Sequence, residues 1–409
     1  MFRFGFYALV FFVFSLPWQD IIRISGGSAL SVSRIVGLIL IAGGVGATLN
    51  RGVVRLRLPA VTILLTVMFA LWAMASNLWN VWDPKLGIIT SLAYLQLAVM
   101  SILIWQLCRT KDDHMVLLQA FVLGSGILAG RLVYDFLTNP FVANSQQSIE
   151  RYTGFGGNPN GLAAILALSL PIAWFLANFW SRGLFRWLNF IYLPAGILGI
   201  ILTASRGGFV VALVGLLIIP LTFRYLGRGS RFGVATFIVL ASALLYLLIP
   251  PGNFERLSQT SSEISEGNVS NRSQIWAAGL RLYPESPIVG TGTGSFIRAV
   301  EPILGYSMPA HNAWLLVLIE MGVIGFALYV GNFIIVLLPL IRLPGADKML
   351  YLCLWLALVV SMLPSNVEDA QHVWALLTIM ATRRAYVLRL PNRTLARGKN
   401  SDEVVLRGS

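Results

Sequence analysis

Long apolar runs alternate with short polar ones along nearly the whole chain. A helix crossing a bilayer needs about 20 mostly apolar residues. Runs of that kind can be marked at about 4–18, 31–49, 59–79, 87–107, 113–137, 161–180, 187–204, 207–226, 232–250, 312–340, 347–364 and 370–390. The pattern predicts an all-α polytopic membrane protein of about 12 transmembrane helices. No small-residue cleavage site follows the first run, so it reads as a helix that stays in the chain. Two polar gaps interrupt the pattern. The larger, 251–311, is the one long polar excursion, and 138–160 is a lesser one. The chain therefore divides into nine spans within 1–250, the loop 251–311, three spans within 312–390 and a tail at 391–409. The tail is basic and polar, a composition that predicts disorder.

Composition supports this reading. The chain is 57% hydrophobic and 11% charged, where a soluble domain carries roughly a quarter charged residues. The formal net charge of +13 would suggest nucleic acid in a soluble protein. In a membrane protein it reflects Lys and Arg gathered in cytoplasmic loops, so no nucleic-acid partner is implied. With the N-terminus inside, 20 of the 30 Lys and Arg fall on the cytoplasmic side and eight outside, with Arg34 and Arg131 within helices. This asymmetry predicts an N-in, C-in topology and puts 251–311 outside. Cys108 and Cys353 both lie away from that loop, which excludes a disulfide framework within it.

Inside the loop, Asn271 is placed to cap a short helix from Arg272 to about Leu282, ended by Pro284. Arg272, Trp276 and Leu280 would share one face of it. A second short helix is expected at 296–304. The run Gly290-Thr291-Gly292-Thr293-Gly294-Ser295 lacks the GxGxxG spacing of a nucleotide cradle, so tight backbone packing is its expected use. The loop should lie over the bilayer as a lid whose ends carry the chemistry.

Several side chains could carry that chemistry, each with a plainer alternative. His311 begins the span at 312–340, where a helix N-terminus favours the neutral imidazole. Such a ring can accept a proton from a hydroxyl; position alone favours a capping or headgroup-level histidine, and His372 on the same side competes with it. Arg206, in Thr203-Ala204-Ser205-Arg206-Gly207-Gly208, hangs from a very short turn between two spans. It could hold an anion or snorkel to lipid phosphates. Arg272 is a candidate phosphate clamp or a solvated surface charge, and Arg151 has similar standing in its own loop. Asn158-Pro159-Asn160 could bind sugar hydroxyls or cap the next helix. Glu320 should lie about 12 Å below the surface at 1.5 Å per residue. Arg131, at similar depth, is its candidate ion-pair partner, although Asp135 competes for that arginine. Asp83, Glu368, Asp369 and His372 are too scattered for a metal site, and no GxSxG signature is present.

Taken together, Ser205-Arg206-Gly207, Asn271-Arg272 with Trp276, the glycine run, the Asn-Pro-Asn entry and His311-Asn312 resemble the O-antigen ligase/polymerase superfamily. The resemblance covers roughly 150–340 well and the ends by topology. It implies a GT-C-like, inverting, metal-independent glycosyltransferase of the bacterial inner membrane that needs no cofactor. The implied donor is a polysaccharide on undecaprenyl diphosphate, and the implied acceptor for a ligase is the lipid A-core, met at the periplasmic face among membrane lipids. By resemblance Arg206 and Arg272 hold the diphosphate and His311 activates or orients the acceptor hydroxyl. Arg151, Asn312, Asn160 and Trp276 would line the substrate. The polymerase and the protein O-oligosaccharyltransferase share these motifs, and a lipid-linked sugar flippase is the alternative of another class. The oligomeric state stays open.

Overall fold

The computed structural model describes residues 2–21, 57–58, 60–138, 151–154, 157–248 and 272–387. The described residues are helical, with no strand among them. The expected span at 31–49, the cap at Asn271, much of the 251–311 loop and the tail lie outside them. Fifteen α-helices follow in order: α1 Phe2–Ser15, α2 Val61–Ala75, α3 Pro84–Leu107, α4 Lys111–Thr138, α5 Pro159–Phe175, α6 Gly183–Leu202, α7 Arg206–Leu216, α8 Ile218–Phe223, α9 Arg228–Leu248, α10 Arg272–Leu282, α11 Phe296–Ala299, α12 Glu301–Leu304, α13 Ala313–Leu340, α14 Gly345–Ser361 and α15 Gln371–Val387.

Helices occupy eleven of the twelve expected span positions. Eight of the described helical stretches are long and apolar enough to cross a membrane, with α2 continued to Leu78, α5 continued to Trp180 and α7 joined to α8 as Arg206–Phe223. The helices at α1, α14 and α15 are shorter, with 14, 17 and 17 residues. Helix starts follow local chemistry. Asp83, Asn158, Ser205 and Asn312 each cap the helix that follows by accepting a backbone N–H, from Leu86, Asn160, Gly208 and Leu315 respectively. Pro84 and Pro159 then occupy the first helical position, where a missing N–H costs nothing.

The centre of the bundle is α5, every residue of which from Leu162 to Phe175 is buried. A helix apolar all round belongs in the core. Helices α4, α6, α7 and α14 surround it. The crossing with α7 is close because that helix presents small residues. A Cβ at Gly208 would collide with the Cβ of Ala163, and one at Gly215 would meet the Ala167 carbonyl at 3.2 Å. At the edge, α9 exposes Phe232, Val239, Leu240, Leu244 and Leu247, the pattern of a lipid-facing helix.

One sequence expectation needs correction. Arg131 does not reach Glu320; it pairs one turn along its own helix with Asp135, at 2.8 Å. An i,i+4 partner is held next door by the helix itself, whereas Glu320 lies on another helix. In α10 the buried face is Ile275, Ala278, Gly279 and Leu282, and Leu280 is exposed, because the helix packs on α13 through residues three and four apart.

The α5–α7 seam has a testable consequence. Gly208→Ala should lower the thermal midpoint of the detergent-solubilised protein, with an overpacking cost of about 1–3 kcal/mol. Gly233→Ala should leave it unchanged or raise it, because nothing lies within 4 Å of that Cβ and alanine is the better helix former.

Candidate active site

Three short segments meet at one end of the bundle, and each begins a helix. Arg206 is the first residue of α7 and Arg272 the first residue of α10. His311 stands just before the Asn312 cap of α13. Arg206 lies close enough for its charge to disfavour that of Arg272, and Arg272 in turn disfavours a charged His311. All three are half-buried. Among the described residues neither Arg272 nor His311 forms an ion pair. Helix N-termini carry unpaired N–H groups and partial positive charge, so these helix starts add to the field of the side chains.

Burial, and then the Arg206 guanidinium, lower the affinity of Arg272 for its proton. Burial, and then Arg272, push His311 below the ordinary imidazole value of 6.5. The physical cause is the same in both: a cation loses hydration and meets a like charge. Both effects favour the neutral ring of His311, the form able to accept a hydrogen bond or a proton.

The backbone at two of these segments is strained. Among the described residues only Ala204 (φ 47) and His311 (φ 49) are non-glycine residues in the left-handed region. Each costs about 1–3 kcal/mol and persists only where its surroundings enforce it. At Ala204 the enforcement is a network. Arg151 donates to the Thr203 carbonyl (3.1 Å) and to Asn160 Oδ1 (2.9 Å), which also accepts from Ser205 Oγ (2.9 Å). Below the turn, a Cβ on Gly207 would lie 2.7 Å from Pro364, in the link between α14 and α15. At His311 the Trp276 indole donates to the Ala310 carbonyl (2.9 Å), and Ala313 N donates to the Met362 carbonyl (2.9 Å).

The sequence candidates thus separate into two groups. Arg206, Arg272 and His311 converge. Arg151 and Asn160 brace the turn that carries Arg206, Trp276 fixes the backbone before His311, and Asn312 caps α13. His372 is buried, which leaves His311 as the half-exposed histidine beside Arg272. Sequence reasoning missed the 362–370 link, whose Pro364 and Met362 touch both segments. Its signal is weak: one proline in an otherwise ordinary polar gap.

The glycine run is a structural dock. Helix α13 breaks at Gly322 (φ 63, ψ −170), freeing backbone groups that a continuous helix would satisfy. Thr291 N and Gly292 N donate to the carbonyls of Ile319 (3.0 Å) and Glu320 (2.8 Å), and Val323 N donates to the Pro287 carbonyl (2.9 Å). The Trp72 indole donates to the Met321 carbonyl (3.0 Å). A Cβ at Gly290 or at Gly322 would collide with the facing backbone, so only glycine permits the approach. This agrees with the tight packing expected of the run.

The comparisons with known proteins bear on this geometry. Residues 191–330 match the O-antigen ligase family. The match supports the O-antigen ligase superfamily. The matched stretch runs from within α6 into α13 and so contains Arg206, Arg272 and His311, while Arg151 and Asn160 precede it. No curated protein matches the chain.

Selective 13C-histidine NMR should find His311 titrating below 6.5, with His311→Ala identifying its resonance. Arg272→Ala should move that midpoint upward, because it removes a cation that disfavours the imidazolium. An unchanged midpoint would mean that the two side chains do not sense each other.

Proposed function

We propose that the chain is an O-antigen ligase. It would transfer a preassembled polysaccharide from undecaprenyl diphosphate to the lipid A-core, at the periplasmic face of the bacterial inner membrane, in lipopolysaccharide biosynthesis. The family match and the membrane-spanning helices support the general class. The observation that carries the finer reading is the meeting of Arg206, Arg272 and a neutral His311 at helix starts, with no carboxylate paired to Arg272 or His311 among the described residues. Such a place suits an anion next to a hydroxyl. Membrane-end arginines suit lipid phosphates in particular.

In this reading the acceptor hydroxyl oxygen bonds to the anomeric carbon of the donor sugar. The bond from that carbon to the phosphate oxygen breaks, and one displacement inverts the centre. The electron pair leaves with undecaprenyl diphosphate, whose growing charge Arg206 and Arg272 stabilise. The hydroxyl proton passes to the neutral imidazole of His311 and then to solvent. Arg151 and Asn160 serve indirectly, by holding the Arg206 turn in its strained form. Charges and helix starts already in place need no reorganisation during the reaction, which is where electrostatic catalysis gains most.

Two observations weigh against the alternatives. A polymerase of this superfamily resembles the pattern best when a second large arginine-rich loop is present, whereas 138–160 is short and its Arg151 is committed to Thr203 and Asn160. A flippase would need polar side chains along a path through the spans. Arg131 and Glu320, deep charges among the described residues, are otherwise occupied, Arg131 by Asp135 and Glu320 by backbone N–H groups.

Purified protein given both lipid substrates should transfer polymer without added metal. His311→Ala and Arg272→Ala should each lower kcat by about 10²–10³-fold, or about 3–4 kcal/mol of transition-state stabilisation. Transfer at the wild-type rate by either variant would remove the role assigned to that residue. In cells, deletion should leave bare core lipopolysaccharide while long polymer accumulates on its carrier. Core bearing a single repeat would indicate a polymerase, and repeats trapped on the cytoplasmic side a flippase.

A further inference from the structure

We propose that Glu320 is a positioning residue: by fixing the glycine run it holds Arg272 and His311 in place relative to each other. Its consequence for catalysis rests on the lipid-diphosphate reading above, while its geometry stands independently.

Glu320 lies on α13, two residues before the break at Gly322, and is 4% exposed. One carboxyl oxygen accepts from Gly294 N at 2.7 Å and the other from Phe296 N at 3.0 Å. Among the described residues it has no ion-pair partner. A buried acid is costly within a membrane protein, and ion pairing does not offset the cost here. Its bonds instead set where the backbone at 294–296 runs.

From there contacts lead to both ends of the candidate site. Phe296 is fully buried, and its ring packs on Gly279, where a Cβ would come within 2.8 Å of Cε2. Gly279 lies on α10, whose Ile275, Ala278 and Leu282 join Phe296, Leu316 and Ile319 in one apolar cluster. The same short helix carries Arg272 at its first residue. It also carries Trp276, whose indole holds the Ala310 carbonyl next to His311. One carboxyl group is thereby joined through packed side chains to the helix that carries Arg272 and to the backbone next to His311.

The test uses the full chain in lipid nanodiscs, with Glu320→Gln and Glu320→Ala. The amide introduced by Glu320→Gln keeps one acceptor oxygen but points an N–H₂ at the second backbone donor. Hydrogen exchange should quicken in both variants at 290–300, and also at 272–282 and 308–314. A change confined to 290–300 would overturn the proposal. Per folded molecule, kcat should fall about 10-fold in Glu320→Gln and about 100-fold in Glu320→Ala, the scale of a small misplacement of reacting groups. Rates within about two-fold of wild type would overturn it. In a background carrying both His311→Ala and Arg272→Ala, Glu320→Gln should cost less than about two-fold, since residues acting through one another are not additive. A full further loss of about 10-fold would show that Glu320 acts elsewhere and would overturn it as well. Should the wild type transfer no sugar, the lipid-diphosphate reading falls, and the exchange pattern still decides the positioning role.

Discussion

The bonding of the glycine run to the break in α13 is the constraint on which the candidate site depends. A helix interrupted inside a membrane protein exposes carbonyl and N–H groups that lipid cannot satisfy. Here the segment 287–292 takes them up, by backbone bonds at 2.8–3.0 Å to Ile319, Glu320 and Val323. The two parts require each other: the break gains its backbone partners from the loop, and the loop gains a fixed path from the break. Residues on the α2 side complete the dock. Thr293 bonds Ser76 through both its N–H (3.0 Å) and its hydroxyl (2.7 Å), and Asn80 donates to the Thr293 carbonyl (2.7 Å). The described part of the polar segment is thus bonded into the bundle along 287–293.

Rigidity of this kind bears on the electrostatics. Arg206 works against the charge on Arg272, and Arg272 against a charge on His311, so their convergence raises the energy of the protein without an anion. Strain at Ala204 and His311 raises it further. Those costs are offset by the Arg151–Asn160–Ser205 network on one side and by the Trp276 and Met362 contacts on the other. An arrangement held against its own repulsion is ready for an anion before one arrives, which in the proposed reading is the lipid diphosphate. Preorganisation of this sort lowers the reorganisation required during a charge-separating reaction. It also separates two tasks that are easily merged: in the proposed reading some polar residues touch substrate, while others keep them still.

Glu320 illustrates the second task. From its depth it resembled half of a structural ion pair, and Arg131 was the natural partner. The arginine instead found Asp135 one turn away, where helix geometry alone guarantees proximity. The acid was left to the backbone N–H groups of a distant segment, a type of partner that side-chain inventory does not reveal. Such bonds fix position along two chain segments at once, which an ion pair between mobile side chains does less well.

The sequence by itself determined what depends on local order. Apolar run lengths placed eleven helices, because a span needs a minimum number of consecutive apolar residues. Asn158-Pro159 offered a helix entry, because capping acts within three residues; the caps at Ser205 and Asn312 came from the structure. Short motifs also named Arg206, Arg272 and His311 as the side chains to watch. Only the tertiary structure decided that these three meet, that Arg151 and Asn160 serve as braces, and that the 362–370 link abuts both strained turns. It alone revealed the break at Gly322, since one glycine within an apolar run reads as a continuous helix until a second segment supplies its missing partners. Contacts between residues far apart in the chain leave no periodicity to read; their energy comes from packing and backbone pairing that exist only once the bundle has assembled.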